Sequence, residues 1–198
     1  MPQRPLVRPG TRMLNHIELS YAPGERRLAK LLLQGLGFRV LDPQTDDRPA
    51  NLGPAATPFL IVYIDPAEGD VFDNVIYASE ALADQWRFEQ AMRERLTNDA
   101  ALAELHDAYC SAHARMPQAM THFGIAYPSG EEVEAALERI AKTPELEGRV
   151  TLSRVYRPGE PGSVDDRVIQ AFVYTDVFST NLLFGGQQIE LQVRLDGA

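Results

Sequence analysis

Cysteine is almost missing from this chain: Cys110 is the only one in 198 residues. No internal disulfide can form, and no cysteine-based zinc site can be assembled. A reducing compartment suits such a sequence. Positive charge is also short, with 19 Lys and Arg against 28 Asp and Glu and a net charge of −9. Nucleic-acid affinity draws on clustered cations that displace counterions from phosphates, so no nucleic-acid partner is expected. The acidic balance reads as solubility. Long apolar runs are lacking too. The first ten residues, Met-Pro-Gln-Arg-Pro-Leu-Val-Arg-Pro-Gly, hold no apolar h-region, and no stretch is long and apolar enough to span a bilayer. The reading is a cytoplasmic protein with no membrane contact.

What is present suits a globular chain. Hydrophobic residues make up 44% and charged residues 24%, near the averages for soluble domains, and the length allows a substantial core. The informative feature is a repetition. Met13-Leu-Asn-His-Ile-Glu-Leu-Ser-Tyr-Ala-Pro-Gly-Glu25 comes back in imperfect form as Met120-Thr-His-Phe-Gly-Ile-Ala-Tyr-Pro-Ser-Gly-Glu131. In both, a histidine opens a short apolar run, a tyrosine follows five positions on, and a Gly-Glu step leads into helix-forming sequence. A period of about 100 residues is too long for a solenoid, so the repeat reads as a duplicated module. His16 and His122 then occupy equivalent places.

Residues 1–12, rich in proline and arginine, suit an extended tail. From Leu14 to Tyr21 the pattern alternates, with Ile17 and Leu19 on one face and His16, Glu18 and Ser20 on the other. Pro23-Gly24-Glu25 starts a helix carried by Leu28, Leu31, Leu32 and Leu36 and stopped at Gly37. Phe38 to Leu41, Phe59 to Ile64 and Asp73 to Ala78 read as strands, and the polar loop from Asp42 to Pro58 reads as mobile or functional. The first module, residues 13–79, is therefore strand, helix, strand, strand, strand. A helical insert over 80–118 follows, with helices at Ala81 to Leu96 and Asp99 to about Arg115, the latter capped by Thr97 or Asn98. Residues 119–198 repeat the module order, with strands at Thr121 to Tyr127, Arg149 to Tyr156, Val168 to Thr175 and Gln187 to Arg194 around a helix at Glu131 to Lys142. Val62-Tyr-Ile-Asp65 matches Val173-Tyr-Thr-Asp176, and Asn74-Val-Ile-Tyr77 matches Gln187-Gln-Ile-Glu190. The fold class is α+β: two paired βαβββ modules with a helical insert between them.

His16 in Leu-Asn-His-Ile-Glu-Leu, His122 in Thr-His-Phe-Gly-Ile and Glu190 in Gln-Ile-Glu-Leu-Gln resemble the ligand positions of the vicinal oxygen chelate superfamily, which includes glyoxalases, extradiol dioxygenases and bleomycin-resistance proteins. The resemblance implies that the paired modules form a curved mixed sheet around a divalent metal held by His16, His122 and Glu190. The fourth equivalent position is Tyr77, where a glyoxalase-like site has a carboxylate or similar ligand. Two imidazoles and one carboxylate with open positions suit non-haem Fe(II), with Mn, Ni or Zn as other occupants. Asp176-Val-Phe-Ser-Thr-Asn181 followed by Gly185-Gly186 departs from the tyrosine and Asp-Pro pair that precede the glutamate in ring-cleaving dioxygenases. Tyr77 reads either as a hydrogen-bond or proton donor to substrate or as an ordinary strand tyrosine.

The implied function is a metal-dependent enzyme acting on a small organic substrate with two adjacent oxygens, by dioxygenase-like, isomerase or lyase chemistry. The alternative is a non-enzymatic, ligand-sequestering protein of the resistance type, and a third class is an interaction module docking through the insert. Related folds swap modules between chains, which leaves a homodimer open. His106 and His113 read as surface residues of the insert, Cys110 as a packing residue, and Trp86, Phe88 and Met92 as the contacts that fix the insert to the sheet, with the lining of a ligand pocket as the alternative. Gly185-Gly186 reads as a tight hairpin turn.

Overall fold

The computed structural model describes residues 14–46, 59–69, 74–179 and 187–194. The N-terminal tail, most of the loop after Asp42 and the Gly185-Gly186 turn lie outside the described residues. The first module runs β1 (His16–Tyr21), α1 (Arg26–Gly35), β2 (Arg39–Leu41), β3 (Leu60–Tyr63) and β4 (Val75–Glu80). The insert is α2 (Ala83–Asn98) and α3 (Ala100–Arg115). The second module runs β5 (His122–Ala126), α4 (Gly130–Ala141), β6 (Val150–Leu152), β7 (Val168–Thr175), the two-residue β8 (Phe178–Ser179) and β9 (Gln187–Arg194). Among the described residues no helix is long and apolar enough to cross a membrane.

The two modules have one topology. One sheet orders its strands β2-β3-β4-β1-β8 and the other β5-β9-β7-β6. In each, the first strand lies parallel to the last, β1 beside β4 and β5 beside β9, and the remaining module strands are antiparallel. The chain is thus α+β, two βαβββ modules with a helical insert between them. β8 is the exception to module symmetry. After β7 the chain leaves its own sheet and pairs with the end of β1, Ser179 opposite Ser20 and Phe178 opposite Tyr21. Phe178 and Tyr21 are both fully buried, so this crossing adds apolar burial as well as backbone hydrogen bonds.

The period-2 alternation of each sheet gives it one apolar face and one face that carries the polar residues. Leu19, Tyr21, Ile76, Ala78, Leu60 and Val62 pack against α1 through Ala29, Leu32 and Leu33. The matching face of the second sheet packs on Val133, Ala136 and Ile140 of α4, and the two halves merge into a single core cluster. The helices approach closely because Gly35 has no side chain: a Cβ there would stand 2.9 Å from Ile140 Cγ1. α1 stops at Gly37, whose φ of +91° favours glycine, and Phe38 N–H closes the turn on Leu33 O. Polar ties also cross between modules. The Tyr127 hydroxyl donates to Leu36 O at 2.7 Å, Arg139 Nε donates to Gly35 O at 3.0 Å, and Arg149 grips Glu25 through both Nη atoms at 2.8 and 3.0 Å.

The insert departs from the packing expected for it. Phe88 is 55% exposed, as are Leu82 at 76% and Leu105 at 68%, while Trp86 and Met92 are only half-buried. The buried residue of α2 is Glu89, which accepts from Gln85 Nε2, and the same amide reaches Ser20 Oγ on β1 at 3.0 Å. α2 is tied to β1 by the Gln85 amide on Ser20 Oγ. α3 begins after Asp99, one residue beyond the cap read from sequence. Asp99 has extended dihedrals and its carboxylate accepts from Leu102 N–H, which is what an N-cap requires. Cys110 is half-buried, with its Sγ 3.4 Å from His106 Nε2, and burial pushes its thiol pKa up.

Candidate functional site

Strand register decides which side chains share a face. In the first sheet His16 lies opposite Val75 and Glu18 opposite Tyr77; in the second, His122 lies opposite Gln188 and Gly124 opposite Glu190. Tyr77 and Glu190 therefore each stand beside the residue two positions after the module's histidine. The equivalence read from the repeat is the one the register has. It also brings out a residue that the ligand reading passed over. Glu18 occupies the place that Gly124 has in the second module, so both sheets carry a carboxylate near the histidine, on the first strand in one and on the last strand in the other. Glu18 Oε1 accepts from Ser79 Oγ at 2.7 Å. Its signal in the sequence was the same alternation that put His16, Glu18 and Ser20 on one face.

The second sheet holds the tighter arrangement. His122 Nε2 stands 3.3 Å from Glu190 Oε2. The other ring nitrogen, Nδ1, is 2.6 Å from Met120 O, a contact that requires Nδ1 to carry the proton and donate. An imidazolium donates from Nε2 to Glu190 Oε2, whereas a ring protonated at Nδ1 alone turns its Nε2 lone pair to the carboxylate, as a cation bound between the two would require. Phe172 fixes the ring from the side, edge to face at 5.6 Å between centroids. Glu190 is 6% exposed. Its Oε1 accepts from Gln192 Nε2 at 2.9 Å and from Gln170 Nε2. Gly124 makes room for the group: a Cβ at that position would lie 3.0 Å from Glu190 Oε2.

A carboxylate and an imidazole in this relation suit a divalent cation. Two ligands about 2.1 Å from one ion at a right angle lie about 3 Å apart, close to the observed separation, and a second hydrogen bond that fixes the imidazole tautomer is the usual company of a metal-binding histidine. His122 and Glu190, two of the three expected ligands, are brought together. His16 is not part of that pair. It is exposed on β1, with Nδ1 2.8 Å from Asn15 Oδ1 and its ring 5.5 Å from that of Tyr77. Tyr77 in turn lies against Phe59 at 5.1 Å. Among the described residues no group of three or more His, Cys, Asp or Glu is placed to hold a metal ion.

A cleft lies between the two modules. A cavity of about 770 Å³ lies between the start of β1 and the edge strand β5, with His16 and Asn15 on one wall and Gly124 and Ala126 on the other. Gly124 and Ala126 share the β5 face with His122, but neither His122 nor Glu190 lines the cavity. Ile17, Phe38 and Ile64 give it an apolar lining, and Arg139 and Glu132 of α4 stand at its edge. Asn74, also on its wall, has a φ of 56°, a left-handed conformation that asparagine tolerates better than most residues. Tyr127, beside it, has its hydroxyl committed to Leu36 O, and burial pushes its pKa well above the ordinary phenol value. It is therefore held as a donor to the first module.

No protein-family model matches the chain. No curated protein matches it either. Among solved structures, that of a hypothetical protein from S. aureus is similar over 92% of this chain and 95% of that one, at 10% sequence identity and a TM-score of 0.42. That likeness is too remote to carry an argument.

Proposed function

We propose that this chain is a metal-dependent enzyme of the vicinal-oxygen-chelate type, acting on a small organic molecule that presents two adjacent oxygens. The observation that carries the reading is the facing of His122 Nε2 on β5 and Glu190 Oε2 on β9 at 3.3 Å. His122 and Glu190 are the first two donors, and His16, on the wall supplied by the first module, is the third in this reading. Bound at these residues, a divalent ion, Fe(II) first with Mn(II), Ni(II) or Zn(II) as other occupants, supplies Lewis acidity for charge that develops on neighbouring substrate oxygens. The apolar walls exclude water from the substrate body, and Tyr77 is a hydrogen-bond donor on the His16 side. A cytoplasmic setting and a homodimer belong to the same reading, the first resting on the near absence of cysteine.

A second reading, ligand sequestration without catalysis, is favoured by the position of His16 outside the pair and by the apolar lining of the cleft. Elemental analysis separates the two. Protein purified without a histidine tag, stripped of metal and supplied in turn with Fe(II), Mn(II), Ni(II) and Zn(II), takes up one equivalent of at least one of them. The uptake is lost in His122→Ala and Glu190→Ala and weakened in His16→Ala. If the wild-type chain takes up none of the four ions, or His122→Ala still binds as the wild type does, the metal reading fails and sequestration replaces it.

A further inference from the structure

Glu190 is a buried carboxylate whose two oxygens have different company. Oε1 receives two amide N–H groups, from Gln170 on β7 and Gln192 on β9, whereas Oε2 is turned to His122 and the Gly124 gap. Gln170 is itself 6% exposed, and its carbonyl Oε1 is buried with no hydrogen-bond partner among the described residues. A buried amide normally satisfies both ends. Here the acceptor end is left over and the donor end goes to the carboxylate. The opposite orientation would set an amide oxygen against Glu190 Oε1, two acceptors in contact, so the charge on Glu190 decides which way Gln170 lies.

The geometry points to Gln170 and Gln192 as positioning residues that hold Glu190 as a one-oxygen ligand, occupying Oε1 so that Oε2 alone is presented beside His122 Nε2. The inference rests on the metal reading above and adds the residues that fix the ligand's orientation. Neither glutamine touches the ion. Each acts through Glu190, in the way that hydrogen bonds to first ligands set metal affinity in general.

The test measures the affinity of the stripped full-length protein for Mn(II) and Zn(II) by competition with a chromophoric chelator, alongside the melting temperature of the metal-free protein. Gln170→Leu weakens binding by about 10- to 100-fold, and Gln192→Leu acts in the same direction. Gln192→Leu, at a half-buried position, carries the test if Gln170→Leu does not fold. Thr175→Val is the structural control. Its hydroxyl is buried on β7 and bonded to Arg149 O and Val177 N–H. Thr175 lies an odd number of positions along the strand from Phe172, the register partner of Glu190, which puts it on the other face of the sheet, so the substitution lowers the melting temperature without moving the affinity. Wild-type affinity in the folded glutamine variants, with only a lowered melting temperature, overturns the inference and leaves the metal reading standing. Absence of binding by the wild type overturns both.

Discussion

Asp42 follows β2 as a 5% exposed carboxylate, and the Arg26 guanidinium reaches it from α1 through Nε at 3.2 and 3.1 Å and through Nη2 at 2.5 Å. The hydrogen bonds from Arg26 hold its pKa below the ordinary aspartate value. A depressed folded pKa means that the stabilisation is fully present above the unfolded value, about 3.9, and is lost as pH falls through the lower folded value. Asp42→Asn therefore costs about 2 kcal/mol at neutral pH, measured by urea unfolding. The same variant shows a shallower fall in stability than the wild type below about pH 4. Equal pH profiles for the two proteins would show that this carboxylate contributes nothing to acid unfolding. At the same scale, the pairing of His122 with Glu190 was legible in the sequence, because family resemblance and repeat position both marked those residues. The two glutamines were not. Glutamine at alternating strand positions has no signature that separates a solvated face from a hydrogen-bond cradle, and only the β7–β9 register brings Gln170 and Gln192 to one oxygen.

Helices and strands were read from local periodicity wherever an element has a clear apolar face. α1, α4, β7 and β9 each combine such a face with a turn signal or cap at an end, and Ser129 does cap α4, accepting from Glu132 N–H at 3.3 Å. Boundaries moved by a residue or two where caps compete, as at Asp99, but β6 ends at Leu152, four residues short of the expected Tyr156, which makes only an isolated bridge to Gln170. β8 could not be read at all: a two-residue strand exists only because β1 offers an edge to pair with, and that edge is set by the other module. The contact of α1 with α4 gives a prediction of its own. Gly35→Ala places a Cβ 2.9 Å from Ile140 Cγ1, part of a buried, fully packed residue. The resulting overpacking outweighs the better helix propensity of alanine and destabilises the chain by about 1–3 kcal/mol. Pairing it with Ile140→Ala, which removes the Cγ1 atom at the contact, makes the double variant lose less than the sum of the two single losses in the same chemical unfolding measurement. A Gly35→Ala protein as stable as the wild type would mean that the helices separate without cost.

At the scale of the whole molecule, the two modules behave as one body because their apolar faces form a single cluster and Arg149 ties Glu25 of the first module to Asp176 of the second, at 2.6 Å for the latter. A cation held by the folded chain and not by the unfolded one must stabilise that body. At about 100 times the dissociation constant the gain is about 2.7 kcal/mol. Thermal unfolding with Mn(II) or Zn(II) in excess should thus lie several degrees above that in EDTA, and the difference should vanish in Glu190→Gln. Superimposed melting curves with and without metal would count against the cation site.

By itself the sequence determined the duplication, the βαβββ order and the helical insert, and the equivalence of His16 with His122 and of Tyr77 with Glu190. These are matters of periodicity and repeat spacing, which short-range backbone preferences and alternating burial write directly into the chain. Tertiary structure decided which residues meet. It turned His122 to Glu190 and His16 to Asn15 and Tyr77, carried β8 across to the first sheet, left Leu82, Phe88 and Leu105 of the insert exposed, and opened the cleft between β1 and β5. Such outcomes depend on how two sheets and two helices pack over distances that no local pattern encodes, and the chemistry of the site is set there.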